Sequence, residues 1–470
     1  MARTIRSIKT LKRLGQSFLI FILTTALSFF RTRIIKCESS AWDVEAISVP
    51  PKRWNQYHFA DIGGITSVHH LSQDSSFMIG TKKGCIYHSV NKQKKNKDAT
   101  NNNDFDSVTG NERISADTVD KSMHRLSEVT SKEYKTKYPI YSIAAMPLKG
   151  TNLPSSSSSS KNETLLFFGS GDRWISVWKV ETRNSNDRIR NFENDAPNFE
   201  FVQKLGPHTG WVKDLVFDDR SGLLHSIGCN CIETWNCSRV DTGHVHRTPL
   251  PIVHSKKRAI ENSPTVGATL SSDLLCLVLI SSNTQGSNEV PQLLVSGGVD
   301  GRIHLWLSDP TVACKADLHG QKPLHTALAH HGRVNSIVYS SAINAIYTVG
   351  NDGLLSVFRV SLNNGFEFIS KLRIEEDLQG NSSRLTVASI TKDLEEQNKC
   401  SLMLGSSKGE LHFVTSEINT EGEIETRFER DRMTVAENSM VYSISTEGCT
   451  RSISSCRIWV GHASGLVVLD

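Results

Sequence analysis

The chain has 470 residues, 38% of them hydrophobic and 22% charged, with a formal net charge of +4. That composition excludes a disordered chain and one largely embedded in a membrane, and so small a net charge gives no argument for nucleic acid. Ten cysteines are too few for a disulfide scaffold. Several (Cys85, Cys276, Cys456) sit in apolar strand-like runs, where reduced thiols acting as small hydrophobes are expected.

The first forty residues differ from the rest. No acidic residue precedes Glu38, and Arg3, Arg6, Lys9, Lys12 and Arg13 lead into SFLIFILTTALSFF at 17–30. A run of 14 residues is short for a membrane span of about 20, but it suits the core of a signal peptide. Ala26-Leu27-Ser28 puts small residues at the −3 and −1 positions of a cleavage point, and a basic, hydroxylated stretch opens with Phe29 behind it. The pattern resembles the two-part presequences of algae with complex plastids. Residues 1–45 are therefore expected to carry the chain into the secretory route and on to a plastid. The alternatives are a plain secretory signal, giving a secreted protein, and an uncleaved membrane anchor.

From residue 50 to residue 470 the chain nearly repeats itself. FFGSGDRWISVW (167–178), LVSGGVDGRIHLW (294–306) and YTVGNDGLLSVF (347–358) each place an Asp six residues before a Trp or Phe. Aligned just after the Asp position, Gly84, Arg173, Asn230, Gly301, Gly353, Gly409 and Gly465 fall into line, with spacings of 52, 56 and 56 residues from Gly301 onward. An apolar strand precedes each turn, an alternating strand follows it, and a further strand (ITSVHHL, IYSIAAM, WVKDLVF and their equivalents) stands upstream. Period-2 runs punctuated by Gly, Asn and Asp mean antiparallel sheet, and seven units mean seven small sheets. These units resemble those of the WD-repeat β-propeller family, and the resemblance implies an all-β class: a seven-bladed β-propeller of four-stranded antiparallel blades behind an N-terminal targeting segment.

The last unit stops at GLVVLD, after its third strand. A segment near NQYHFAD (55–61) is placed to supply the fourth, which would remove an open sheet edge. Residues 91–137, rich in Lys and Asn with few aliphatics, are expected to be a disordered insertion. That stretch and those at 151–163, 182–198, 239–262 and 283–291 all read as connections on one face of the ring, opposite the Asp turns.

These residues resemble the WD-repeat β-propeller family. The family pattern places a His before the first strand, a Ser or Thr four residues before the turn Asp, and a Trp six after it. The resemblance implies a buried hydrogen-bonded network of these side chains, in which every polar group finds a partner. His208 and Trp235 serve blade three, with Cys229 at its Asp position; Ser296, Asp300 and Trp306 serve blade four. His330, Thr348 and Asp352 serve blade five, where Phe358 replaces Trp, and Asp172 with Trp178 serves blade two. No blade has all four.

Catalytic motifs are weak. GSSKG (405–409) fits G-x-S-x-G, but that nucleophile needs a strand-to-helix elbow and a strand follows Ser407. Cys229, Cys231 and Cys237 with His225 make the one candidate metal cluster; the spacing is not a paired C-x-x-C, and strand alternation accounts for Cys231 as core. No catalytic residue, metal or cofactor is expected. The short-loop face should display Lys82, Lys83, Arg173, Trp174, Trp211, Arg302, Arg333, Asn351 and Lys408. Basic groups beside Trp suit an acidic or phosphorylated peptide. The expected function is a non-catalytic scaffold that binds a protein or peptide through this propeller face, with no small-molecule substrate and with membrane contact only through an uncleaved N-terminal segment. The alternatives are a secretory-pathway or plastid enzyme with a loop-built site, and a nucleic-acid-associated scaffold.

Overall fold

Alternating apolar runs such as LLVSGG and AIYTVG are buried at every position, because each central strand is covered on both sides by neighbouring sheets. The computed structural model describes residues 56–469 except 60–61, 72–75, 92–123, 130–135, 149–161, 183–197, 230, 238–251, 258–272, 281–291, 309–322, 375–382, 395–397 and 448–456. Residues 1–45, expected to be a targeting segment, lie outside the described residues.

After β1 (Gln56–Phe59), blade one comprises β2 (Ile65–Leu71), β3 (Ser76–Thr81), β4 (Ile86–Asn91) and β5 (His124–Glu128). Blade two comprises β6 (Ile140–Leu148), β7 (Asn162–Ser170), β8 (Ile175–Thr182) and β9 (Asn198–Leu205). Blade three follows with β10 (Val212–Asp218), β11 (Leu223–Gly228), β12 (Cys231–Asn236) and β13 (Ile252–Lys257). Blade four is β14 (Leu274–Ile280), β15 (Leu293–Gly298), β16 (Arg302–Leu307) and β17 (His325–Leu328). Blade five is β18 (Val334–Ser340), β19 (Ala345–Gly350), β20 (Leu354–Ser361) and β21 (Gly365–Arg373). Blade six is β22 (Leu385–Leu394), β23 (Lys399–Ser406), β24 (Glu410–Ile418) and β25 (Ile424–Thr434), and blade seven contributes β26 (Val441–Glu447), β27 (Arg457–His462) and β28 (Gly465–Leu469).

Every sheet is a four-stranded antiparallel meander, and the innermost strands touch in a closed ring in which β26 meets β2. The protein is a seven-bladed β-propeller, and the described residues contain no helix. β1 completes blade seven by pairing with β28, with Gln56 opposite Leu469 and Phe59 opposite Leu466. Apolar side chains fill the spaces between blades; at the closure Phe77 of blade one stacks on Trp459 of blade seven with centroids 4.2 Å apart.

Two loop expectations change. The outer strand of blade one, β5, lies inside the stretch 91–137 that composition marks as unstructured, because the outer position accepts a short strand with little apolar content. β13 lies inside 239–262, so the link at 258–272 joins an outer strand to the next inner one, on the face of the Asp turns.

All seven inner strands break register at the same step: between Ile65 and Ser67, Ile140 and Ser142, Val212 and Asp214, Leu274 and Cys276, Val334 and Ser336, Leu385 and Val387, and Val441 and Ser443. The skipped residues are Thr66, Tyr141, Lys213, Leu275, Asn335, Thr386 and Tyr442. Such bulges re-aim a side chain and end local pairing, and here they stand at the same step of every innermost strand.

Candidate functional site

The predicted turn networks differ from blade to blade. In blade three His208 Nε2 is hydrogen-bonded to Ser226 Oγ at 2.9 Å, and Trp235 Nε1–H donates to the same oxygen at 2.8 Å. Burial lowers the His208 pKa to about 4. Counting back from Trp235 put Cys229 in the Asp position. Ile227 pairs with Ile232, however, whereas in blade four Gly297 pairs with Ile303, so the blade-three turn is one residue shorter and Ser226 takes the hydroxyl role. Cys229 adopts a left-handed φ of 57° within it.

In blade four Trp306 Nε1–H donates to Ser296 Oγ at 2.9 Å, while Asp300 accepts the Arg302 amide at 3.2 Å within its own turn. Blade five has the most connected arrangement. His330 Nε2 meets Thr348 Oγ1 at 3.0 Å and His330 Nδ1 meets Asp352 Oδ1 at 2.9 Å; Asp352 also accepts the amides of His331 and Leu354. Burial alone would raise the Asp352 carboxyl, but the bond and charge of His330 with the two amides bring it down to about 2. Phe358, without a donor, packs edge-on against Phe366 and Phe368. In blade two Asp172 accepts the Trp174 amide at 3.0 Å, and Trp178 packs edge-on against Phe201.

The partner-binding residues divide into two groups. Lys83, Arg173, Arg302 and Lys408 each sit on the turn of a different blade, with Lys83, Arg173 and Arg302 exposed. Arg173 holds a φ of 73°, where blades one, four, five and six have Gly84, Gly301, Gly353 and Gly409. A Cβ at Gly301 or Gly409 would collide with the backbone carbonyl of His330 or Ala436, so close loop approach requires glycine there. Trp174 is half-buried beside Gly206.

Trp211 and Arg333, by contrast, belong to a cluster at the channel mouth built from bulge residues. Trp211 is 52% exposed and stacks on Tyr141 at 6.0 Å. The Lys213 ammonium lies 3.7 Å from the Tyr141 ring centroid and 4.5 Å from that of Trp211, a cation–π contact with both rings. Burial, then the neighbouring Arg333 charge, push the Lys213 pKa down to about 8, with Asp273 opposing. Neither Lys213 nor Arg333 is closed off by an ion pair among the described residues. Across the mouth Lys82 Nζ lies 4.6 Å from the Tyr442 ring, and burial and Tyr442 together raise the Tyr141 phenol. Other bulge residues are consumed structurally. Thr66 Oγ1 donates to the Ile140 carbonyl, and Asn335 Nδ2 donates to the Leu385 carbonyl at 2.6 Å and to Asn351 at 2.9 Å.

Tyr141, Lys213 and Tyr442 escape a reading by turns because the bulge that aims them has no residue signature. Aligning the second residue of every inner strand would have grouped them. Ser407 lies between β23 and β24, in a strand–turn–strand and not an elbow, and its Oγ accepts the Arg384 amide. No protein-family model matches the chain, and no curated protein matches it.

Proposed function

We propose that this propeller is a non-catalytic interaction scaffold whose channel mouth holds an acidic segment, carboxylate or phosphorylated, of a protein partner. The observation that carries the reading is the Tyr141–Trp211–Lys213–Arg333 cluster. Two neighbouring cations have no ion-pair partner among the described residues, and one of them lies against two aromatic rings. An incoming anion would relieve the repulsion between Lys213 and Arg333, and the half-exposed indole supplies an apolar anchor of the kind that dominates interfaces. The propeller contributes a ring of inner strands whose bulge residues Tyr141 and Lys213 come together beside Trp211, a geometry suited to gripping a strand or tail.

Fluorescence anisotropy with an Asp/Glu-rich peptide, a phosphoserine peptide and a charge-neutral scramble tests the reading. The acidic probes should bind, weaken with added salt, and lose at least about tenfold in affinity for Lys213→Glu combined with Arg333→Glu, since each 1.4 kcal/mol is a factor of ten. Equal binding of the scramble, or an unchanged affinity in the double variant, would sink it. Tighter binding of a single-stranded oligonucleotide than of either acidic peptide would favour the nucleic-acid alternative.

A further inference from the structure

Two buried polar atoms beneath the turn of blade three lack a hydrogen-bond partner, and the Cys231 thiol, bonded to the Gly228 carbonyl at 3.2 Å, lies beside them. Glu233 is 8% exposed, and its Oε2 has no hydrogen-bond partner. The nearest groups are His208 Nε2, 3.5 Å from Oε2, and Cys231 Sγ, 3.9 Å from Oε1. His208 is 2% exposed, and its Nδ1 has no hydrogen-bond partner. The corresponding atom of His330 in blade five holds Asp352, and blade three has no Asp in that turn. Leaving a buried carboxylate without compensating donors is costly. Cys231 and Glu233 are two residues apart on β12, so their side chains project from the same side of the strand. One ligand atom from each of His208, Cys231 and Glu233 lies within 4.8 Å of the others.

We propose that His208, Cys231 and Glu233 form a binding site for a zinc-class divalent cation. A tetrahedral zinc with metal–N and metal–O distances near 2.0–2.1 Å and metal–S near 2.3 Å sets its ligand atoms about 3.3–3.6 Å apart. The three ligand atoms, all within 4.8 Å of one another, must therefore draw together by up to about 1.2–1.5 Å, which side-chain rotation on binding supplies. Thiolate, imidazole and carboxylate together favour zinc over magnesium or calcium, which prefer all-oxygen shells. On binding, Cys231 gives its thiol proton to solvent, His208 moves its ring proton to Nδ1 and exchanges the Nε2 contact with Ser226 for the metal, Glu233 adds a carboxylate oxygen, and no electron is transferred. A water or hydroxyl completes the tetrahedron. Exposed Thr209, whose Oγ1 is 3.5 Å from Cys231 Sγ, marks the way in from the surface.

Of the four residues that sequence spacing suggests as a cluster, only Cys231 takes part. His225 is committed to Thr234 and Ser308, at 2.9 Å each, and Cys237 packs in the core with its thiol pushed up to about 12 by burial. The site is separate from the channel mouth and does not depend on the partner reading.

The full-length protein, reduced and stripped of metal with a chelator, is titrated with Co²⁺ and then with Zn²⁺. One equivalent of Co²⁺ should raise a near-ultraviolet thiolate-to-cobalt absorption that Zn²⁺ bleaches, and Zn²⁺ should raise the thermal midpoint. Because His208 also holds Ser226, the informative variants are at the other two ligands. Cys231→Ser should abolish the band, and Glu233→Gln should weaken Co²⁺ binding tenfold or more. Cys229→Ser, altering the half-buried cysteine of the same turn, should leave the band in place. Absence of the band in the wild-type protein, its persistence in Cys231→Ser, or unchanged affinity in Glu233→Gln overturns the proposal.

Discussion

Asp300 and Asp352 occupy the same place in their turns and do different work there. Asp352 satisfies His330 Nδ1 and two amides, so truncating it strands a buried imidazole nitrogen; Asp300 accepts the amide of its own turn at Arg302. Asp352→Ala should cost about 2–3 kcal/mol and Asp300→Ala about 1 kcal/mol or less, read from denaturant midpoints at neutral pH. Equal costs would mean that the His330 bond adds nothing. The spacing of Asp, His and Trp locates these turns well, since the side chains lie at fixed offsets from a tight turn. It mislays Ser226, because a one-residue shortening of the blade-three turn shifts every count taken from Trp235. Glu233 stays invisible for a different reason: nothing in an alternating strand says which polar residue will be enclosed.

Among elements, the inner strands carry the most specific device. Their shared bulge ends pairing after the first residue; in blade three the second residue, Lys213, lies against the Tyr141 and Trp211 rings, and the third, Asp214, stitches neighbouring blades together. Asp214 is the strongest stitch: it accepts Ser142 Oγ–H of blade two at 2.9 Å, the Leu215 amide at 2.9 Å and the Leu277 amide of blade four at 2.8 Å. Burial pushes its carboxyl up to about 6, against the lowering effect of those bonds. Between the ordinary carboxylate value near 3.9 and about 6, the folded protein keeps a proton that the unfolded chain has lost, so Asp214 makes stability fall as pH rises through that window. Asp352, brought down to about 2, has the opposite sign: its contribution is full above about 3.9 and is lost as pH falls toward 2. Asp214→Asn removes the titration, so the stability gap between wild type and variant should narrow from pH 4 to pH 7. Denaturant melts across that range check it, and a gap that stays level or widens would mean the carboxyl ionises at its ordinary pH. Strand number and order were legible in the sequence because period 2 and turn residues are local. The bulges were not, since a skipped residue looks like any other strand residue until its partner strand is known.

At the scale of the molecule, the ring is closed by β1, the strand that precedes blade one. The arrangement was legible because blade seven visibly lacks a fourth strand and the segment before blade one alternates. β28 is buried along its whole length, from Gly465 to Leu469, and β1 covers its outer edge. Phe59, partly buried, packs on the cluster of Ile65, Phe77, Trp459, Leu466 and Val468 that joins blade seven to blade one. Removing β1 therefore exposes an edge of apolar β28 residues and loosens the one seam at which the propeller can open. Each ladder hydrogen bond contributes about 1 kcal/mol, and a large apolar side chain about 2 kcal/mol when fully buried, so a chain beginning at residue 62 should lose about 3–5 kcal/mol relative to one beginning at residue 50. It should also associate through the bared edge, as unpaired strands do. Phe59→Ala, which keeps the ladder, should cost only about 1–2 kcal/mol and leave the protein monomeric. Adding a synthetic peptide of residues 54–61 to the truncated chain should restore much of the lost stability, because the groove it vacates retains both the ladder and the Phe59 pocket. Thermal melts with light scattering read all of these outcomes. A truncated chain that melts with the longer one and stays monomeric would mean that the ring is held shut without β1.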